Sequence, residues 1–384
     1  MTEKFLGLID PTRVHVHALE FLLVLLAVLL LCGAWRVRRS GELKNFGKEE
    51  TLPLRALLAM LVVAGHLDKG TKYMFPALGA IHWPTPAVAI FFFMSGFGLR
   101  KVYESQVASG RLGAYLRHFP RRTLARLLPP FLVLGPALAV WRCAVGQISM
   151  STLLEKTLTL SILDIPHDWY VIALVILYAI FAISALCFKG NKVAVSIWVL
   201  TTVMWCVTCF ICANASPRKD FWHVSLFLFP IGFTFAQYER QIRAAFLSHP
   251  FRVALSVVAA ATCCYSLRKI SGVPYIKMIR EPFLCMIGPM CALVLYAFDE
   301  LKRVKLLCFL GLFSYEIYLV HGIGETLFRH AGLHGLPYAL SVVAFTIPAA
   351  WLLWKFDVFA TKIIGGDGRR NGGTATDSAK KGVG

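Results

Sequence analysis

WYVIALVILYAIFAISALCF, residues 169 to 188, runs for twenty positions without one charged side chain. At about 1.5 Å per residue a helix of that length spans roughly 30 Å, the hydrocarbon thickness of a bilayer. Backbone polar groups in lipid must be satisfied internally, which leaves a helix or a closed barrel. The run is too long and too uniformly apolar for a barrel strand, so it predicts a transmembrane helix. Comparable runs recur at 17 to 35, 52 to 67, 84 to 99, 123 to 141, 192 to 213, 221 to 237, 251 to 267, 282 to 298, 306 to 324 and 336 to 354. The expectation is an all-α polytopic transmembrane bundle of ten or eleven helices, with short loops and no sizeable soluble domain.

Composition agrees: 57% of residues are hydrophobic and 16% charged, against about 25% charged in soluble domains. A net charge of +19 raises the question of nucleic acid, but the basic residues sit in interhelical loops. That pattern fits membrane topology and anionic lipid headgroups, so membrane lipids are expected partners and nucleic acid is not. Alternate loops, beginning with 36 to 51, hold about twice as many Lys and Arg as the opposite set. This predicts an outside N-terminus and a cytoplasmic C-terminus. The first run is followed by Arg36, Arg38 and Arg39 and reads as a retained anchor. Cys32 follows Leu31, which does not suit a lipidation site. The cysteines, including Cys206, Cys209, Cys212, Cys263 and Cys264, lie in apolar runs and read as buried small hydrophobes, so no metal site is expected.

Ionisable groups within spans are costly and mark candidate chemistry. In LPLRALLAMLVVAGH, residues 52 to 66, Arg55 and His66 are eleven steps apart. At 100° per residue that is about 20° beyond three full turns, so both face the same way, roughly 16 Å apart along the axis. Pro53 fits a helix start, placing Arg55 in the first turn near the cytoplasmic surface and His66 toward the opposite leaflet. A neutral imidazole can take a hydroxyl proton near neutral pH. In FFFMSGFGLRK, residues 91 to 101, Ser95, Gly96 and Gly98 interrupt an aromatic run. Small residues there permit close helix packing, or room at Gly96 for a ligand chain. Ser314, Tyr318, His321 and Glu325 fall at offsets tracing one helix face, a polar seam that should line a cavity or a polar neighbour. Glu316 points off that face and needs a partner of its own. The loop from Arg100 to Arg126, with Arg122, makes a basic mouth suited to topogenesis or to a phosphate-bearing ligand.

These segments, in this order, resemble the acyltransferase type 3 family of membrane acyltransferases, which includes bacterial O-acetyltransferases of exported glycans. The carrying motifs are Arg55, ten residues and His66; FFFMSGF; RRTLARLLPP; and SYEIYLVH. The likeness covers residues 51 to about 358. It implies an acyl-CoA donor on the cytoplasmic side, acetyl-CoA for an acetyltransferase, used as co-substrate with no tightly bound cofactor. It also implies a carbohydrate hydroxyl as acceptor and residence in a bacterial cytoplasmic membrane. His66 is then the expected general base and Arg55 the residue orienting donor or acceptor. Arg122 and Arg126, with Ser95 and Gly96, are expected toward the cofactor end, and Ser314, Tyr318, His321 and Glu325 along the substrate cavity.

The family often carries an acidic residue within the Trp-Tyr helix; here only Asp168 stands at its start. Three regions follow: residues 1 to 50 as an extra helix and basic loop, 51 to 358 as the acyltransferase domain, and 359 to 384 as a disordered cytoplasmic tail. A rival reading from another class is a non-catalytic transporter or exporter of a lipid-linked glycan, using the seam from Ser314 to Glu325 as its path. That reading has no use for the fixed spacing of Arg55 and His66.

Overall fold

A computed structural model describes residues 11–43, 47, 49–71, 84–159, 161–163, 165–167, 169–214, 225–270, 276–298 and 303–365. Among them the chain forms fourteen α-helices and no strand. They are α1 (Pro11–Ser40), α2 (Leu52–Thr71), α3 (Pro84–Ala108), α4 (Leu112–Ala144), α5 (Met150–Leu158), α6 (Trp169–Cys187) and α7 (Asn191–Asn214). There follow α8 (Leu228–Gln237), α9 (Glu239–Ser248), α10 (Pro250–Ile270), α11 (Ile276–Ala297), α12 (Lys305–Leu312), α13 (Ser314–His330) and α14 (Gly335–Gly365). The all-α bundle read from the sequence is the architecture found.

Four helices, α4, α6, α7 and α14, are long and apolar enough among the described residues to cross a bilayer. The number reaches six if the bent pairs α9–α10 and α12–α13 each make one span. Leu52–Leu67, Leu228–Gln237 and Cys285–Ala297 are apolar but shorter. Sequence runs therefore overstate the number of straight spans. The expected span at 306 to 324 breaks at Phe313 and turns by 76°, and α10 follows α9 at 115° with Pro250 at its start. Outward-facing apolar side chains such as Phe210, 72% exposed, and Leu186, 69% exposed, need lipid rather than water around them.

Two segments read as loop or tail are helical. Arg100 to Arg126 is built from the end of α3 and the start of α4, joined by a three-residue turn at 109 to 111. The final helix continues through 359 to 365, beyond the expected start of the tail, while 366–384 and Asp168 lie outside the described residues.

Helix α4 contains Pro120, Pro129, Pro130 and Pro136. A proline inside a helix lacks the N–H that would serve the carbonyl four residues earlier. Pro129 thus leaves the Ala125 carbonyl without its usual donor, and the Thr361 hydroxyl of α14 donates to it at 3.2 Å. The Tyr315 hydroxyl of α13 also donates to α4, at the Leu127 carbonyl, 3.2 Å away. Pro129 so becomes a point at which α14 is fastened to α4.

Helices α3 and α8 pack backbone to backbone. A Cβ on Gly96 would run into the Phe229 carbonyl, and one on Gly232 into the Phe93 carbonyl. This reciprocal pair settles the role of Gly96: it permits close packing, and the expectation that it opens room for a ligand is corrected. Gly96→Val should wedge the two helices apart at a cost of about 1–3 kcal/mol. Thermal unfolding in detergent followed by intrinsic fluorescence checks this, with a lowered Tm expected. Helix α1 packs instead on α10 and α11, where Gly33 lies against Ala297 and Phe298. The site described next draws on α2, α3, α4, α6 and α13.

Candidate active site

The predicted residues divide into two groups joined at Tyr318. The first group lines a cavity of about 710 Å³ walled by α2, α3, α4, α6 and α13. Arg55, Ser95, Arg122, Arg126, Ser314 and Tyr318 all lie on its surface, together with Tyr115, Tyr170, Tyr178 and Tyr315. Gly96 does not.

The charge of this cavity is not what the basic sequence suggests residue by residue. Arg100 pairs with Glu104 at 2.8 Å, and Lys101, though it lines the cavity, pairs with Glu239. Glu239 also accepts the Tyr296 hydroxyl at 2.8 Å. Among the described residues Arg55, Arg122 and Arg126 have no carboxylate within ion-pair distance. Arg126 is the cation that acts at longer range on the buried carboxylates Glu316 and Asp357, with no ion pair to either. Arg55 and Arg126 are near enough to repel one another. A half-buried wall carrying neighbouring guanidinium groups favours an anionic occupant.

The second group is a cluster of three imidazoles and a carboxylate. His66 comes from α2, His321 and Glu325 from α13, and His167 from the turn before α6. Ring centroids are 4.0 Å apart for His66 and His167, 5.1 Å for His66 and His321, and 5.1 Å for the nearly parallel pair His167 and His321. His321 is fully buried and Glu325 is 6% exposed. Glu325 Oε1 lies 3.9 Å from Nε2 of both His167 and His321, while Oε2 lies 3.5 Å from Arg329.

Backbone carbonyls fix the protons on two rings. His66 Nδ1 lies 2.9 Å from the Val62 carbonyl, and His321 Nδ1 lies 2.5 Å from the Tyr318 carbonyl. A carbonyl can only accept, so Nδ1 carries the hydrogen in each ring and Nε2 presents its lone pair. Nε2 of His66 is thus oriented as a base, and its orientation is held by its own helix.

His167 was not singled out by the sequence, which pointed to Asp168 beside it. The residue has φ of 66°, a conformation rare for a non-glycine and sustained only where neighbours enforce it. Two contacts from α13 do so. The Tyr318 hydroxyl donates to the His167 carbonyl at 2.7 Å, and Gly322 lets the turn approach where a Cβ would meet Pro166 and His167 within 3 Å. The pattern Pro-His immediately before an aromatic helix start is the available signal, but it does not reveal the fold partner.

Neither His66, His321 nor Glu325 lines the cavity. Tyr318 connects the two groups: it is on the cavity wall, holds the His167 turn, and its ring centroid is 5.7 Å from that of His321. The seam on α13 therefore runs as spaced, with Ser314 and Tyr318 on the cavity and His321 and Glu325 in the cluster. Arg55 lies on the cavity and His66 in the cluster, eleven steps apart on α2.

A family model described as an acyltransferase domain matches residues 54–355. No curated protein and no solved structure matches the chain.

Proposed function

The chain belongs to that acyltransferase domain family, and from this premise we propose a membrane O-acyltransferase that moves an acyl group, acetyl in the simplest case, from acyl-CoA to a carbohydrate hydroxyl. The observation carrying the proposal is an arginine-lined cavity with Tyr318 on its wall and, on the other side of Tyr318, a histidine cluster in which His66 keeps Nε2 free of its own backbone. Arg55, Arg122 and Arg126 would receive the phosphates of the donor, with Ser95 and the tyrosines along the pantetheine arm. A volume of about 710 Å³ suits the arm of such a donor rather than the whole nucleotide.

The reaction follows from the protonation of His66. Nε2 takes the proton of the acceptor hydroxyl as the oxygen attacks the thioester carbonyl. The tetrahedral intermediate collapses with cleavage of the C–S bond, and the CoA sulfur recovers the proton from the imidazolium. Direct transfer is the more economical course, since one proton shuttle serves both steps and no acyl-histidine is needed. The loop charge bias favours donor entry from the cytoplasm and acceptor presentation on the opposite side of a bacterial cytoplasmic membrane. Glycans presented at the cell surface fit that sidedness.

The test uses purified protein in liposomes, [14C]acetyl-CoA and a detergent extract of bacterial envelope glycans. Label on the glycan fraction with equimolar free CoA thiol is expected. Glycan movement across the membrane with no thiol release would support the transporter reading instead.

A further inference from the structure

We propose that His167, His321 and Glu325 form a binding site for a divalent cation of the zinc class, beside the base His66. The donor atoms of the four residues lie within 4.8 Å of one another. His321 Nε2 and Glu325 Oε1 are both buried and, among the described residues, neither has a hydrogen-bond partner. The two atoms face each other at 3.9 Å, too far for a hydrogen bond. Both are acceptors, because the His321 proton is committed to the Tyr318 carbonyl. Oε1 also faces His167 Nε2 at 3.9 Å. Two buried acceptors side by side with no hydrogen bond to either are costly, and a cation joining them would offset that cost.

Two imidazoles and one carboxylate are a ligand set for catalytic zinc, which keeps a fourth position open. Metal–ligand distances of about 2.0–2.2 Å would place tetrahedral donors roughly 3.4 Å apart, so the two 3.9 Å separations from Glu325 would contract by about half an ångström and the two imidazole donors, within 4.8 Å, by at most about 1.4 Å. The outer contacts are those of a supported metal site. The Tyr318 carbonyl fixes the His321 tautomer, Arg329 holds Glu325 Oε2, and the Tyr318 hydroxyl holds the turn carrying His167. None of these ligands is a cysteine, the residue type whose spacing argued against a metal.

The inference extends the transferase reading by giving the acceptor oxygen a second contact. A hydroxyl bound at the open position would lose its proton more readily. Its proton passes to His66 Nε2, the oxygen bonds to the thioester carbon, the C–S bond breaks, and the proton goes on to the CoA sulfur. His66 is kept out of the ligand set in this scheme, although its ring neighbours both histidines.

Metal content decides the matter without reference to transfer. The full chain, purified without a polyhistidine tag and equilibrated with Zn2+ before gel filtration, should retain about one zinc per chain by mass spectrometry. His321→Ala, His167→Ala and Glu325→Gln should each fall about tenfold or more in retained zinc, while His66→Ala keeps it. Co2+ added to the wild-type chain should give the intense visible bands of tetrahedral coordination. That reading needs no variant and so survives any variant that fails to fold. Wild-type protein with neither zinc nor such bands overturns the site, as does zinc retained undiminished in all three ligand variants. Zinc lost from His66→Ala overturns the three-ligand assignment. Absence of transfer with zinc bound would instead count against the transferase reading alone.

Discussion

Replacing His66 with alanine is expected to lower kcat for acyl transfer by roughly 10²- to 10⁴-fold, the usual contribution of a positioned general base. Affinity for acetyl-CoA should stay within about twofold of wild type, since His66 is absent from the cavity proposed for the donor. The two effects separate because ten residues of α2, about three helical turns, lie between His66 and Arg55. Steady-state transfer and donor titration in nanodiscs supply the two measurements. His66→Gln retains a polar side chain of similar reach but no base, and should be as inactive as alanine. Undiminished turnover in either variant would remove His66 from the mechanism.

Arg55 and Arg126 carry the second large effect, and it falls on binding. Hydrogen bonds to charged groups are worth about 1.5–3 kcal/mol, so Arg55→Gln or Arg126→Gln should weaken acetyl-CoA binding roughly ten- to hundredfold. The two variants differ in a second respect. Arg126 also offsets the buried acids Glu316 and Asp357, so its loss should lower the Tm as well. Arg126→Lys keeps the charge but loses the planar fork, and should recover stability more fully than affinity. Titration of donor binding alongside thermal unfolding separates the two roles.

Much of this was legible in the residues. Helix periodicity alone put Arg55 and His66 on one face, and the structure places Arg55 on the cavity and His66 in the histidine cluster. The same rule brought Ser314, Tyr318, His321 and Glu325 onto a shared seam. What periodicity cannot give is contact between elements distant in sequence. His167 reaches His66 from a turn about a hundred residues away, and only because α13 holds that turn in a conformation with positive φ. The surplus of basic residues was evident, but not which of them are neutralised: among the described residues Arg100 and Lys101 find carboxylates, whereas Arg55 and Arg122 do not.

The remaining differences share a physical origin. Hydropathy reports how apolar a run is, not whether it stays straight. Leu310 to Ser314 reads as the middle of a span, yet the chain bends there by 76°, with Gly311 pressed on the Leu52 carbonyl at the start of α2. Gly96 presented the same ambiguity in miniature, since a small residue serves a ligand and a neighbouring helix equally well. The carbonyl of Phe229 decides for the helix.

An experimental structure with acetonyl-CoA, a ketone analogue that cannot transfer its acyl group, tests the two-ended site most directly. The expected density has the phosphates at Arg55, Arg122 and Arg126 and the pantetheine arm along the cavity past Tyr318. Its ketone should lie close enough to His66 that an acceptor oxygen held by Nε2 could approach the carbonyl carbon at roughly 3–3.5 Å. An analogue bound outside this cavity, or one whose ketone ends on the far side of an unmoved Tyr318 wall from His66, would contradict it.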